Sequence, residues 1–350
     1  MLEDRKKFTF GLKKTKWMVV NTGRETISEI DILVEEGKVE RTEQYKLVGF
    51  WLNEKGNCEL QITKNVNKVE GKTSAIKTLA SYNTVGCEYI NVRMKMYCCC
   101  ILHSLLYALE AWNQLRNIEY DLLEKAQGMV LRRLLDLPQS TPYEGILCEF
   151  GIWKIKYVIF YRKIMLFHNI IHSDDRRPIK KVVLSDEVND TFWDDVRKMI
   201  KELKIEGNLK EMKKSALKKE IKRKVEVRMI EELRKSEGKT KLRFVKVGER
   251  FVRKNYTKEA GHVVKDTLIT KLNMQQVYGN FKGDIMRPIM CPLCSSEEDT
   301  TEHLLRCPEG FCTFRDPTRI LCEEDNIEQW RLINNAIEKN FQKRKDLGMM

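Results

Sequence analysis

Over the first 56 residues, apolar and polar positions fall into short runs separated by turn residues. The runs at 16–21, 30–34 and 45–53 are rich in β-branched and aromatic residues, and Gly37 and Gly56 follow the second and third runs. β-branched and aromatic side chains favour strands, whereas glycine favours the turns between them. The pattern predicts strands of a small sheet in this region.

Beyond residue 57 the apolar residues recur every three or four positions, as on a helix with one buried face. Pro138 and Gly238, residues typical of helix ends, follow the first and third of three such runs. The runs are Leu123, Ala126, Val130 and Leu134; Val196, Met199, Ile200 and Leu203; and Leu217, Ile221, Val225, Met229 and Leu233. The chain is therefore predicted to be α+β and predominantly helical.

The most apolar stretch, residues 96–109, covers 14 residues and includes His103 and Ser104. A helix needs about 20 apolar residues to cross a bilayer, so we expect a buried helix here and no membrane partner. Residues 1–7 are dense in charge and lack the apolar core of a secretory signal. An intracellular location, cytoplasmic or nuclear, is therefore expected.

The chain is basic, and much of its excess charge is local. Its 64 lysines and arginines against 51 acidic residues give a net charge of +13, and residues 210–254 hold 18 basic against 7 acidic residues. Such a field favours polyanionic partners. The candidate phosphate contacts on the third helical run are Lys218, Lys219, Lys222, Arg223 and Lys224. The alternative is a solvated helix face, since Glu220, Glu226, Glu231 and Glu232 interleave at salt-bridging spacings.

The clearest chemical motif consists of cysteine and histidine residues near position 300. Cys291 and Cys294 form a CxxC pair, and His303 and Cys307 follow with the spacing of one helical turn. Inside the cell, such a set is typical of a metal site rather than of disulfides. Four ligands without an open position predict a structural Zn²⁺ whose loss should unfold the module.

The sequence around this motif leaves some choices open. Asp299 and Glu302 have the spacing of a capping box, which predicts that a helix begins just before His303. Cys312 and Cys322 could replace one of the ligands. The alternative to a metal site is a set of ordinary reduced cysteines beside a surface histidine.

Candidates for catalysis lack the context that their chemistry requires. A two-metal polymerase centre needs adjacent carboxylates on a hairpin between apolar strands, but the Asp-Asp pairs at 174–175 and 194–195 have no such flanks. We interpret them as a solvated loop and a solvated helix N-terminus. His168 and His172 share a helical face, but Asn169 stands where a metalloprotease has its general-base Glu.

Several shorter motifs follow one another in a distinctive order. Gly11-Leu12 and Lys13-Lys14-Thr15-Lys16 precede Tyr45-Lys46-Leu47-Val48-Gly49, and the segments at 106–112, 123–132, 138–142 and 149–151 precede the cysteine motif. In this order they resemble the C-terminal half of the reverse transcriptase of non-LTR retrotransposons, from the last palm motifs through the thumb to a CCHC knuckle. Ala108 departs from the family, which usually has glycine there.

The resemblance implies a domain order and nucleic-acid contacts. The domains are a palm-end remnant with a primer-grip-like strand at 1–56, a helical thumb-like domain at 57–180, a basic helical linker at 181–280, the zinc knuckle at 281–325 and a C-terminal helix or tail at 326–350. The contacts that it implies are Lys13, Lys14 and Lys16 in the palm segment, and Tyr45, Lys46 and Gly49 in the primer grip.

The resemblance also implies what the chain lacks. The family's catalytic Asp-Asp hairpin would lie before residue 1, so no catalytic residue is assigned, and Mg²⁺ is expected only if another chain supplies a catalytic palm. We expect a reverse-transcriptase fragment, inactive alone, that binds Zn²⁺ and RNA or DNA, with an intact reverse transcriptase as a further candidate partner and no small-molecule substrate. The alternatives are a zinc-stabilised adaptor that binds protein, and a retrotransposon relic without function.

Overall fold

The computed structural model describes residues 15–20, 31–34, 37–83, 89–112, 115–184, 192–236, 242, 245–258, 290–311 and 327–348. Helices make up most of these residues, and the strands are short. The expectation of a predominantly helical chain with a few strands is therefore confirmed.

The strands pair two by two near the start of the described chain. They are β1 (Lys16–Trp17), β2 (Leu33–Val34), β3 (Gly37–Lys38), β4 (Glu40–Arg41), β5 (Gln44–Leu47) and β6 (Phe50–Asn53). β1 pairs in parallel with β4, whereas β2 with β3 and β5 with β6 are antiparallel pairs. The predicted single small sheet is thus wrong for the described residues.

The run at 45–53, which was predicted to be strand throughout, is a hairpin. Val48 and Gly49 have φ angles of 49° and 84°, so they turn the chain between β5 and β6. Positive φ at two successive residues is the geometry of a tight hairpin turn, and Val48 adopts it against its steric preference. Tyr107 supports the turn, since its hydroxyl donates to the Val48 carbonyl at 2.7 Å.

The helices follow in the order expected from the apolar spacing. They are α1 (Glu59–Asn83), α2 (Tyr89–Met96), α3 (Leu102–Leu105), α4 (Asn117–Leu134), α5 (Tyr143–Phe150), α6 (Ile155–Ile171), α7 (Pro178–Val183), α8 (Phe192–Leu203), α9 (Lys214–Arg234), α10 (Thr301–Arg306) and α11 (Ile327–Asp346). The three periodic runs lie in α4, α8 and α9, which confirms those predictions. At the start of α4, Glu119 accepts the Arg116 backbone N–H at 2.7 Å.

One hydrophobic core extends from Cys58 to Phe251. α4 packs against α1 and α6, and α6 packs in turn against α8 and α9. The core therefore continues across residue 180, where the sequence placed a boundary between a thumb-like domain and a basic linker.

The apolar stretch at 96–109 is buried but is not one α-helix. A π-helical turn (Tyr97–Ile101) separates α2 from α3, and Ala108 then adopts a left-handed φ of 64°. Glycine reaches this conformation at a lower cost than alanine does. The residues that the stretch buries are Tyr97, Ile101, Leu105, Leu106 and Leu109. Among the described helices, none combines the length and apolar character needed to cross a bilayer.

A second, smaller core joins α10 and α11. It contains Leu304 and Leu305 from α10, Trp330, Ile333 and Ile337 from α11, and Tyr256 from the segment that follows the main core. The ring centroids of Tyr256 and Trp330 are 5.8 Å apart. The helix predicted at 326–350 therefore packs against the cysteine motif.

Candidate metal centre

The cysteine motif folds into a compact set of four ligand atoms. The Sγ atoms of Cys291, Cys294 and Cys307 and a ring nitrogen of His303 all lie within 4.8 Å of one another. The Cys291 and Cys307 sulfur atoms are 3.8 Å apart, and the Cys294 sulfur is 3.1 Å from His303 Nε2. Two sulfur atoms bound tetrahedrally to Zn²⁺ at about 2.3 Å are separated by about 3.8 Å. The four side chains therefore fit one metal ion.

Two local structures bring the ligands together. After Cys291 the chain turns back, since Ser295 has a φ of 55° and its backbone N–H donates to the Cys291 carbonyl at 2.8 Å. The Cys291 N–H in turn donates to the Glu297 carbonyl at 2.8 Å, which closes the CxxC loop. His303 lies within α10, and Cys307 directly follows the last residue of this helix. Both residues are on the same side, because residues four positions apart share a helical face.

The helix begins close to the expected position but with another cap. The Thr300 side chain accepts the His303 backbone N–H at 3.1 Å. The prediction that Asp299 caps this helix is wrong. Asp299 is fully buried and instead accepts two hydrogen bonds, at 3.0 and 2.8 Å, from Arg344 of α11.

A chain of polar contacts orients the histidine ligand. Nδ1 of His303 lies 3.2 Å from a Glu297 carboxylate oxygen, and that oxygen also accepts a 2.6 Å hydrogen bond from Arg306. A carboxylate on Nδ1 keeps the proton there and leaves the Nε2 lone pair for the metal. Hydrogen bonds from Arg306 and, to a smaller extent, from His303 lower the pKa of Glu297 and keep its carboxylate charged.

The thiols of the site differ in acidity. Burial opposes ionisation of Cys294, but hydrogen bonds from the Ser296 side chain and backbone, the Glu297 backbone and the Cys291 thiol outweigh it and lower its pKa to about 6. Burial raises the pKa of Cys307 to about 12, and the adjoining Cys291 thiol adds to this effect. A bound divalent cation supplies the charge that lets neighbouring thiols ionise together.

Two of the residues near the thiols were not found from the sequence. The Ser296 hydroxyl donates to the Cys294 sulfur at 3.0 Å, and Arg344 Nη2 lies 3.7 Å from the Cys291 sulfur. Ser296 stands two positions after the ligand Cys294, and this closeness in sequence is a signal that could have identified it. Arg344 lies 53 positions from Cys291, and no local pattern identifies it. The alternative ligands Cys312 and Cys322 lie outside the described residues.

The predicted phosphate contacts of α9 are exposed or half-buried on its polar face, while its apolar face packs into the main core. Glu220 pairs with Arg223 at 2.7 Å and with Lys224 at 3.8 Å. Within the described part of the chain, Lys218, Lys219 and Lys222 take part in no such pair. Salt bridges of the kind expected on a solvated helix face are thus found for two of the five cations.

The contacts implied for the palm region lie on other elements. Lys13 and Lys14 fall outside the described residues, and Lys16 pairs with Glu40 at 3.1 Å. Tyr45 and Lys46 lie on β5 and Gly49 in the turn that follows. The β5–β6 hairpin packs on α1, whereas α9 packs on α6 and α8, so the two sets have different packing partners.

Members of both aspartate pairs form ion pairs with neighbouring cations. Asp174 accepts hydrogen bonds from Arg176 in the same loop, and Asp175 pairs at 2.6 Å with Lys180 of α7. The interpretation of 194–195 as a solvated helix N-terminus is wrong for Asp195, which is buried and paired with the fully buried Lys163. A buried carboxylate needs such a partner.

The two histidines contact backbone carbonyl groups of a neighbouring loop. His168 lies on α6 and His172 directly follows this helix, and their rings are stacked with 4.1 Å between centroids. Nε2 of His168 is 2.8 Å from the Met212 carbonyl, and Nε2 of His172 is 3.2 Å from the Lys210 carbonyl. The pair thus connects α6 to the loop before α9.

Comparison with known protein families, curated proteins and solved structures finds no match to this chain.

Proposed function

We propose that this chain binds nucleic acid through the basic face of α9 and is stabilised by a structural Zn²⁺ at Cys291, Cys294, His303 and Cys307. The observation that carries the proposal is the convergence of these four ligand atoms within 4.8 Å, in a chain whose excess positive charge is concentrated in residues 210–254, which include α9. Three thiolates and an imidazole with tetrahedral spacing favour Zn²⁺ over Mg²⁺ or Ca²⁺, which prefer oxygen ligands.

The nucleic-acid part rests on the lysines of α9. Lys218, Lys219 and Lys222 are exposed and, among the described residues, make no ion pair. Unpaired cations on one helical face can neutralise successive phosphates and release the counterions of the polymer. Binding of this kind depends strongly on salt and little on base sequence.

The origin of the chain is the finer part of the proposal. The order of motifs resembles the end of the palm, the thumb and the CCHC knuckle of a non-LTR retrotransposon reverse transcriptase. On that resemblance the chain corresponds to the C-terminal half of an RNA-directed DNA polymerase. A contribution to DNA synthesis would need a catalytic palm with its Mg²⁺, which an intact reverse transcriptase could supply.

The test measures fluorescence anisotropy of labelled single-stranded RNA and duplex DNA titrated with the zinc-loaded chain at several salt concentrations. Lys218→Gln/Lys219→Gln should lower the slope of log Kd against log salt by about 1 to 2, since each phosphate contact contributes about 0.9. Lys198→Gln/Lys201→Gln removes the same charge from exposed positions of α8 and is the matched control. Equal losses in both double variants would contradict a site on α9.

The protein-binding adaptor is the other function that a zinc-stabilised module supports. It predicts a folded, zinc-loaded chain that binds neither polymer at low salt. That result would overturn the nucleic-acid proposal and leave either the adaptor or a relic without function.

A further inference from the structure

A cleft of about 750 Å³ opens beside the basic face of α9. It lies between α2, the π-helical turn, α4 and the junction of α5 with α6, and Lys222 of α9 reaches its wall. The volume is within the range of roughly 300–1,000 Å³ that is typical of ligand sites. π-helical turns are also frequent at functional sites.

Aromatic side chains line the cleft and are held in place. Tyr97 and Phe150 are buried, while Trp153 is half-buried and meets Tyr161 edge to face at 6.1 Å between centroids. The Gln127 amide donates to the Tyr97 hydroxyl at 2.7 Å and to the Trp153 carbonyl at 3.1 Å. The wall is therefore formed before any ligand arrives, and Trp153 keeps part of its surface exposed.

Among the described residues, the charged groups that line the cleft are all cations. Lys95 and Lys222 are exposed and take part in no ion pair within the described residues. The Arg253 guanidinium lies over the Phe150 ring at 5.4 Å, held by the Asn91 side chain at 2.8 Å. This arrangement places positive charge next to an aromatic surface.

A second large cleft, between α1 and α4, differs in charge. It has a similar volume of about 780 Å³, but Glu70, Asp121 and Glu124 outnumber the cations Lys125 and Arg132 among the residues that line it. An anionic ligand would meet acidic side chains there. The charge therefore distinguishes the cleft beside α9 from a cavity of the same size elsewhere in the fold.

We propose that the cleft beside α9 takes one unpaired nucleotide of a single-stranded RNA or DNA. The base stacks on Trp153, and its phosphate lies between Lys222 and Arg253. Aromatic surface with adjacent cations is the usual chemistry of single-strand recognition. A paired base is stacked inside its duplex and cannot enter. The inference rests on the proposed function, because Lys222 belongs to the basic face of α9.

Alkylation of the cysteines around the cleft can report on its occupancy in the unaltered protein. Cys98 and Cys99 line the cleft, whereas the neighbouring Cys100 does not, and all three thiols are exposed. Alkylation of the zinc-loaded chain, followed by mass spectrometry, is measured with saturating single-stranded oligonucleotide, duplex of equal length, or mononucleotide. We expect the single strand to slow the modification of Cys99 several-fold and to leave Cys100 unchanged.

Variants give an independent measurement by anisotropy. Trp153→Leu should weaken single-strand binding about tenfold and change duplex affinity less than about twofold, because stacking is lost only for unpaired bases. Lys222→Gln should weaken single-strand binding more than Lys219→Gln, which removes the same charge from the same helix outside the cleft.

The outcomes separate the two proposals. Binding of the single strand without protection of Cys99, or equal protection by duplex or mononucleotide, would overturn the cleft and leave binding by α9 intact. Failure of every polymer to bind would overturn both. Separate RNA and DNA oligonucleotides decide which polymer the cleft takes.

Discussion

Arg344 and Asp299 form the ion pair that connects α11 to the candidate metal centre. Both side chains are inaccessible to solvent, and two hydrogen bonds join them. Arg344 also lies 3.7 Å from the sulfur of Cys291, so its charge faces a ligand as well as a carboxylate. Removing one member of a buried pair leaves the other charge uncompensated, which costs about 3–5 kcal/mol.

Asp299→Asn should therefore destabilise the C-terminal module by about 3–5 kcal/mol. The measurement is native-state hydrogen exchange of the amides of α10 and α11. Glu338→Gln, at an exposed position of α11, is the control and should change protection by less than about 0.5 kcal/mol. Asp299→Leu/Arg344→Met should regain much of the loss, and a double variant no better than Asp299→Asn would contradict this account.

Asp136 connects the end of α4 to α1 and α2. It pairs with Lys77 and, at 2.5 Å, with Arg93, whose side chain is almost fully buried. Desolvation opposes ionisation of Asp136, but the hydrogen bonds from Lys77 and Arg93 outweigh it and hold its pKa below the ordinary value of 3.8. The pair therefore stabilises the fold above that pH and is lost as the pH falls through the lowered pKa.

Asp136→Asn should lower the free energy of unfolding by about 1.5–3 kcal/mol at pH 6, because hydrogen bonds to a charged group are replaced by weaker ones. Urea unfolding of both proteins between pH 3 and 6 measures the difference. We expect it to be constant above about pH 5 and to shrink below 3.8. A difference that stays the same over the whole range would rule out ionisation of Asp136 as its cause.

Among the elements, α9 combines a core face and a polar face on one helix. Leu217, Ile221, Val225, Met229 and Leu233, spaced by four residues, are buried against the main core. Its lysines point away from that face, as a period of 3.6 residues requires. The surface proposed to bind nucleic acid is thus held in position by the same residues that stabilise the fold.

Two valines of α9 test this division. Val225 is fully buried and Val227, two positions on, is 43% exposed. Val225→Ala should cost about 2–3 kcal/mol, from the lost transfer free energy of the removed groups and the cavity left behind. Val227→Ala should cost less than about 0.5 kcal/mol in the same urea titration. Equal losses would mean that α9 does not pack on the core through this face.

Local patterns explain which elements the sequence could predict. α4, α8 and α9 were found because helical periodicity is read within one segment. The strands were only partly found, since a two-residue strand depends on a partner elsewhere in the chain. The ligand set at 291–307 was found because its four members lie within 17 positions. The pair of Lys163 with Asp195 was missed, because nothing near either residue identifies the other.

For the whole molecule, residues 253–257 connect the main core with the second core between α10 and α11. Arg253 donates to Asn91 of α2 at 2.8 Å, and the Lys254 backbone N–H donates to the Glu149 carbonyl at 3.0 Å. Tyr256, two residues after Lys254, packs against Trp330 in the second core. Arg253 also lines the cleft beside α9, so the same short segment contacts both the cleft and the second core.

Removal of the metal should unfold the C-terminal module and spare the helical core. Among the described residues, the second core contains six buried apolar side chains, which is a small core for two helices. A structural zinc ion at the four ligands would supply further support, because its ligands are brought together only in the folded state. With a strong chelator, we therefore expect amides of α10 and α11 to lose their protection from hydrogen exchange while those of α4 and α6 keep theirs.

Added Zn²⁺ should restore the protection of α10 and α11, and Mg²⁺ should not, since sulfur ligands discriminate against Mg²⁺. Cys294→Ser should behave like the chelated protein without any chelator. Protection that persists in α10 and α11 after verified removal of the metal would show that the second core is stable alone. The three cysteines would then be ordinary reduced residues beside His303. The net charge of +13 and the cleft beside α9 would remain as the grounds for proposing nucleic-acid binding.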